Sequence, residues 1–140
     1  MASSTKSGFS AEERAAMKER ARELKLSKSR DEAEKDQLKK IAEMPKVDRE
    51  IAEGVHAIVK EHAPELESKT WYGMPGYARD GKIMFFVQSA EKFKTRYTTF
   101  GFNDIANLDD GDLWPTAYAI PEWSAAAEKK VTALVKKAVS

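Results

Sequence analysis

The chain has 140 residues, the length of one ordinary domain, and its 24 Lys and Arg nearly balance its 23 Asp and Glu, which gives a net charge of +1. This balance argues against a protein that works through a strong basic or acidic field, and we expect no nucleic-acid partner. Because cysteine is absent, disulfide scaffolds, thiol catalysis and cysteine-ligated metal centres are excluded, and because no apolar run approaches about 18 residues, we expect a cytoplasmic protein without a membrane span.

The beginning of the chain is predicted to be a tail followed by charged helices. Residues 1–10 are mostly small and polar, which is typical of a disordered terminus. Ser10 and Glu13 have the spacing of a capping box, in which a hydroxyl and a carboxylate satisfy the free amides of a helix start. They predict a helix from Ala11 to about Leu24 with a thin apolar stripe.

A second charged helix is predicted before the Met-Pro pair that follows it. Asp31 can cap this helix, and Leu38 and Ile41 are expected on its inner side. The helix is expected to end near Glu43, since the residue before a proline avoids the helical conformation. Residues 11–46 are therefore predicted to form a helical extension beside the main domain.

The main domain is predicted over residues 47–140, where nearly all the aromatic residues lie. It starts with a helix, because Ile51, Val55 and Ile58 recur at helical spacing. Short aromatic and β-branched runs separated by turn residues follow, and such runs are typical of strands. The predicted strands are Thr70–Gly73, Gly76–Arg79, Lys82–Gln88, Lys94–Phe100 and Pro115–Ile120.

Two local patterns indicate how these strands are arranged. Asp80-Gly81 is typical of a two-residue hairpin turn, and Ile83–Val87 is apolar on both sides, as a central strand would be. Ser124 can cap a last helix that runs to Val139. This order of elements predicts an α+β fold, in which an antiparallel sheet of about five strands has helices packed on it.

Four aspartates form the most acidic segment of the chain. Carboxylate oxygens are the ligands that hard cations prefer, although the spacing does not match an EF-hand loop. The same residues could instead cap short turns around Gly111, so both interpretations stay open. The candidate metal ligands are Asp104, Asp109, Asp110 and Asp112.

Three cations and two histidines are the other polar candidates. Lys94 and Arg96 are two residues apart in a predicted strand and would share one face of the sheet, close to Lys92, where they could hold an anion or simply be solvated. His56 and His62 lie six residues apart and cannot ligate one metal from one helix. No nucleophile–base set or phosphate-binding glycine motif is recognisable, so we expect a non-enzymatic protein.

The segment WYGMPGY, from Trp71 to Tyr77, is the most unusual local sequence. Its two glycines and its proline predict a sharp bend around Met74 and Pro75. The large side chains could line a small concave site, or they could pack the core beneath a hairpin corner. The candidate ligand-binding residues are Trp71, Tyr72, Met74 and Tyr77, together with Lys94 and Arg96.

Several segments resemble the YdhG-like family, a large group of small bacterial domains. They are WYGMPGY with the following ARDGKI, the stretch from Phe86 to Phe102, DIANLDDG, LWPT and the closing LVKKA. The resemblance covers about residues 47–139. The charged helical start is similar to the extension of actinobacterial members.

The resemblance implies an α+β fold and, for some members, the role of an intracellular iron chaperone that acts like frataxin. Such a role needs exposed carboxylates that bind Fe²⁺ weakly enough to release it, and the four aspartates, with Glu50 and Glu53, could supply them. The alternative function is a small-ligand or protein-binding module that uses the corner from Trp71 to Tyr77.

Overall fold

The computed structural model describes residues 9–26 and 29–140, over which it contains five helices and five strands. The predicted tail, residues 1–10, lies outside the described residues apart from its last two positions. The helices are α1 (Ala11–Leu26), α2 (Arg30–Ala42), α3 (Lys46–His62), α4 (Ala90–Phe93) and α5 (Ala125–Val139). The strands are β1 (Glu67–Trp71), β2 (Met74–Arg79), β3 (Lys82–Gln88), β4 (Thr98–Phe102) and β5 (Ala117–Ile120).

The five strands form one antiparallel sheet in the order β1-β2-β3-β4-β5, so each strand pairs with its neighbour along the chain. The predicted α+β fold is confirmed, and β3 is the central strand, as the apolar run Ile83–Val87 indicated. Asp80 and Gly81 make the turn between β2 and β3 with φ angles of 53° and 80°. Two consecutive left-handed residues give a turn whose twist matches that of the strands it joins.

Aromatic side chains on one face of the sheet form the centre of the core. Tyr77, Phe85 and Phe102 lie opposite one another across β2, β3 and β4, and all three are buried. The ring centroid of Phe85 lies 5.3 Å from that of Tyr77 and 5.5 Å from that of Phe102. The apolar stripes of α3 and α5 belong to the same cluster, so these helices cover this face.

The opposite face of the sheet is open over much of its area. Phe86 and Thr99 are only partly buried there, and Ala117 and Ala119 are exposed. The ring centroid of Phe86 lies 5.2 Å from that of Trp71, so two aromatic rings lie side by side on this face. The helices therefore cover one side of the sheet. Among the described residues, no helix combines the length and the apolar composition needed to cross a bilayer.

α2 begins at Arg30, earlier than predicted, and is part of the packed body. The Ser29 hydroxyl accepts a hydrogen bond from the amide of Glu32 at 3.1 Å, so Ser29 is the N-cap and the expected cap, Asp31, lies in the first turn. Ile41 is buried in the core, as expected, but Leu38 is 44% exposed. The inner side of α2 is thus rotated from the predicted one.

Gln37, rather than Leu38, lies on the inner side of α2. The Gln37 side chain is fully buried, and its Nε2 donates to the carbonyl oxygens of Lys69 and Gly76 at 2.8 and 3.0 Å. These two residues are paired across β1 and β2. α2 therefore meets the sheet through hydrogen bonds to backbone carbonyls, which apolar periodicity in the sequence does not reveal.

The predicted strand Lys94–Phe100 is wrong in its first half. Residues Ala90–Phe93 form the short helix α4, and Lys94 ends it in the left-handed conformation with φ of 59°. The strand β4 begins only at Thr98. Lys94 and Arg96 therefore do not share a strand face. The helix forms because Ser89 caps it and a carboxylate from α3 binds its first amides, as described below.

Candidate functional site

The turn between β1 and β2 consists of Tyr72 and Gly73, with φ angles of 53° and 80°. The bend predicted around Met74 and Pro75 is thus placed two residues earlier, and both of those residues belong to β2. Successive backbone amides in a left-handed turn point to one side and form a concave donor pair that suits an anion. This turn is the starting point of the candidate site.

Glu23 of α1 occupies the donor pair of the turn. Its Oε1 accepts from the amide of Tyr72 at 3.0 Å, and its Oε2 accepts from the amide of Gly73 at 2.8 Å. The side chain is only 3% exposed. Burial raises the pKa of Glu23 above its ordinary value, although the two amide donors act in the opposite direction. A carboxylate is therefore held against the turn at some desolvation cost.

Glu19, one helical turn earlier on α1, lies between two lysines. Its Oε2 lies 3.0 Å from the Nζ of Lys40 on α2, and its Oε1 contacts the Nζ of Lys92 on α4. Burial acts to raise the pKa of Glu19, but Lys92 and Lys40 outweigh it and hold the pKa below its ordinary value. The two lysines are partly buried, so these pairs are less screened than surface ion pairs.

The two carboxylates of α1 are held at one place. A side chain built on Gly73 would put its Cβ 2.5 Å from the Nζ of Lys92 and 2.8 Å from Oε1 of Glu19, so the turn and the lysine pair adjoin. A cavity of about 290 Å³ opens here between α1, α2, the turn and α4. Glu19, Lys40, Gly73 and Lys92 line it. The exposed side chains of Glu43 and Glu91 line it as well.

The large side chains predicted to bind a ligand are dispersed by the fold. Tyr77 is fully buried in the core and Met74 is 8% exposed. Trp71 is partly buried beside Tyr72 and Phe86 on the open face of the sheet. Of the segment from Trp71 to Tyr77, Gly73 lines the cavity, and none of these large side chains does.

Neither of the two predicted cations, Lys94 and Arg96, lines the cavity at the turn. Lys94 and Arg96 are both exposed in the segment after α4. Arg96 lines a second cavity of about 450 Å³, which adjoins the first because Pro45 and Glu91 line both. The cation that reaches the turn is Lys92, which the sequence analysis placed beside them.

The four predicted metal ligands lie in the connection between β4 and β5. All four side chains are exposed: Asp104, Asp109, Asp110 and Asp112. Over residues 9–26 and 29–140, no group of three or more His, Asp or Glu side chains is placed to hold a metal ion. Three or more of these four carboxylates therefore do not converge on one metal position in the described part of the chain.

Asp48 of α3 is a buried carboxylate that the sequence analysis missed. It accepts from the hydroxyls of Ser89 at 2.7 Å and of Thr98, and from the amides of Ala90 and Glu91 at 3.2 Å each. Burial acts to raise its pKa, but these hydrogen bonds hold the pKa of Asp48 below its ordinary value. With its oxygens saturated, Asp48 positions α4, and with it Lys92.

His56 belongs to a second, partly buried network that the sequence did not reveal. Its Nδ1 lies 3.0 Å from the hydroxyl of Tyr77, and its Nε2 lies 2.9 Å from Oε2 of Glu34, which also pairs with Lys60. With a neutral ring, Nε2–H donates to Glu34 while Nδ1 accepts from Tyr77. Burial lowers the pKa of His56, although Glu34 acts in the opposite direction. Because the Tyr77 hydroxyl is fully buried, this network is structural.

This network makes a pH-dependent contribution to stability. Since the pKa of His56 in the fold lies below its ordinary value of 6.5, the unfolded chain takes up the proton first as the pH falls. The free energy of unfolding should therefore fall as the pH drops below about 6.5. We expect His56→Phe to cost about 2 kcal/mol at pH 7, because it leaves the Tyr77 hydroxyl unpaired, and to flatten the profile between pH 7 and 5.

Urea denaturation across this pH range measures the effect. His62→Phe is the matched control, because His62 lies on the same helix with no contact to Tyr77 among the described hydrogen bonds, and it should keep the wild-type slope. A slope that persists in His56→Phe would show that another group carries the pH dependence.

Comparison of the chain with protein-family models, with curated proteins and with solved structures found no match.

Proposed function

We propose that the chain is a binding module that takes a small ligand at the corner where α1, α2, the Tyr72–Gly73 turn and α4 meet. The observation that carries the proposal is that two partly buried lysines, Lys40 and Lys92, line one cavity of about 290 Å³ together with Gly73 of the turn. Convergent polar groups in a concavity of this size are typical of small-ligand sites.

The cost of this arrangement also supports a site. The two lysines repel each other, and the partial burial of three charged groups carries a desolvation penalty that their attraction must offset. Gly73 adds to this, since its missing side chain leaves room for the Nζ of Lys92. A purely structural contact would be served as well by apolar side chains.

A screen of small anions, cations and neutral compounds tests the proposal. A ligand should raise the thermal midpoint by mass action and shift the amide resonances of Tyr72 and Gly73. Lys92→Gln should weaken the binding by about tenfold or more, since it removes a charged donor. Lys94→Gln is the control, because Lys94 is exposed and does not line the cavity. Compounds that bind only elsewhere, with the two amides unmoved, would refute the site.

The iron-chaperone role implied by the resemblance to the YdhG-like family stays a prediction, as do the family itself and a cytoplasmic location. If the protein carries Fe²⁺, exposed carboxylates should bind it only weakly. Anaerobic calorimetric titration with Fe²⁺ should then show heat that disappears when Asp109, Asp110 and Asp112 are replaced by Asn. Replacing Glu122, Glu128 and Glu61 by Gln is a control with the same change in charge. No heat with the wild type would remove the hypothesis.

A further inference from the structure

The two acidic side chains that α1 places in the site show what chemistry the site accepts. We propose that the corner binds a small organic dianion, an inference that rests on the proposed function. Glu19 and Glu23 occupy the two anion positions of the corner while the ligand is absent. The Tyr72 and Gly73 amides receive one acid group of the ligand, and Lys40 and Lys92 receive the other. The acidic side chains of α1 then compete with the ligand for this site.

Each anion position has donors that a carboxylate satisfies fully. At the turn, both oxygens of Glu23 are used, one on each amide. At the lysine pair, both oxygens of Glu19 are used, one on Lys40 and one on Lys92. A single acid group replacing either side chain would find two donors already in position.

The spacing of the two positions follows from the helix. Glu19 and Glu23 are four residues apart, so they lie on the same side of α1 with their Cβ atoms roughly 5–6 Å apart. A ligand that takes both positions needs two acid groups at a comparable separation. A short dicarboxylic acid meets this requirement. A monoacid displaces one carboxylate of α1 and leaves the other carboxylate bound at the second position.

The described contacts of α1 depend heavily on these two side chains. Among the side chains described over residues 11–23, only Ala16 and Glu23 are buried, and Met17 is 41% exposed. A helix of 16 residues is marginal alone in water, so its docking determines its position. If the carboxylates of α1 are displaced, little apolar contact from these residues resists its release.

The charges around the cavity are compatible with this exchange. Besides Glu19, the exposed carboxylates of Glu43 and Glu91 line the cavity, where water and salt screen them. Arg20 lies 3.8 Å from Glu23 and would stay near the turn only while α1 is docked. When Glu19 leaves, Lys40 and Lys92 lose their anionic partner, and an acid group of the ligand takes its place.

Glutarate and butyrate test the inference. Both have three carbons outside their carboxylates, but glutarate has two carboxylates and butyrate has one. Amide resonances of Tyr72 and Gly73 report binding in the full chain. In wild type, glutarate should bind about tenfold or more tighter than butyrate. The double variant Glu19→Gln with Glu23→Gln should bind glutarate about tenfold tighter than wild type, since the competing charges are removed. Glu12→Gln, on the same helix, should leave the affinity unchanged.

The outcomes separate this inference from the proposed function. Equal or weaker glutarate binding in the double variant would overturn the competition, and equal binding of butyrate would overturn the dianion. A neutral or cationic compound that shifts the Gly73 amide while glutarate does not would overturn the inference and leave the proposed function standing. If nothing shifts that amide in either protein, both fail. Should the double variant unfold, Glu19→Gln alone is measured, with the same direction expected.

Discussion

Asp48→Ala should lower the free energy of unfolding by about 4 kcal/mol and the thermal midpoint by roughly 10 °C. The carboxylate of Asp48 is 4% exposed and receives two hydroxyl and two amide hydrogen bonds. Its removal leaves these buried donors without an acceptor and leaves a cavity, and each unpaired donor costs about 1–3 kcal/mol before relaxation. The start of α4 should loosen as well.

The pKa of Asp48 gives this prediction a pH signature. Because hydrogen bonds hold the pKa in the fold below its ordinary value of 3.8, the stabilisation is present above that pH and is lost as the pH falls further. The difference between wild type and Asp48→Ala should therefore shrink in acid. Urea denaturation at pH 7 and at about pH 3 measures it. Glu50→Ala, an exposed acid on the same helix, is the control, and an Asp48 variant as stable as this control would refute the role of Asp48.

Phe85→Ala should cost a similar amount, about 4 kcal/mol, because it empties the centre of the core. The ring of Phe85 is fully buried and contacts those of Tyr77, Phe100 and Phe102, with centroids 5.3 to 5.5 Å apart. The three neighbouring rings cannot collapse into the vacated volume without losing their own packing, so both the transfer and the cavity contributions are large.

Hydrogen exchange and denaturation measure this second effect. The β3 amides lie in the middle of the sheet, so they should be among the slowest to exchange in wild type, and Phe85→Ala should accelerate them by about a thousandfold. Phe86→Ala is the matched control on the same strand: Phe86 faces the open side of the sheet and is partly exposed, so we expect less than half the loss. Equal losses for the two variants would contradict the assignment of the faces.

Repeating local patterns account for the parts of the fold that the sequence predicted well. The bounds of β3 agree with the predicted strand, and Asp80-Gly81 makes the expected turn. Ser124 caps α5, as expected from its side chain, by accepting from the amide of Ala127 at 3.1 Å. Each of these features depends on residues within a few positions of one another, so the chain reveals it without the rest of the fold.

The polar contacts of the body depended on partners far along the chain. Gln37 is buried because the carbonyls of Lys69 and Gly76 receive its amide, and His56 is partly buried because Glu34 and Tyr77 flank its ring. A glutamine or a histidine on a charged helix is otherwise expected to be solvated. These contacts could not be predicted from the sequence, because hydrogen-bond partners 21 to 39 residues apart leave no periodic pattern.

The amino-acid sequence by itself thus determined the fold class, the central strand and the helices with a clear apolar stripe, because burial of apolar surface follows the period of each element. Only the tertiary structure decided the candidate site. Glu19, Lys40 and Lys92 come from three separate helices, and they meet beside Gly73 only after α1, α2 and α4 have docked. Charge pairs of this kind are set by the packing of the backbone, since the same side chains would be solvated if α1 lay elsewhere.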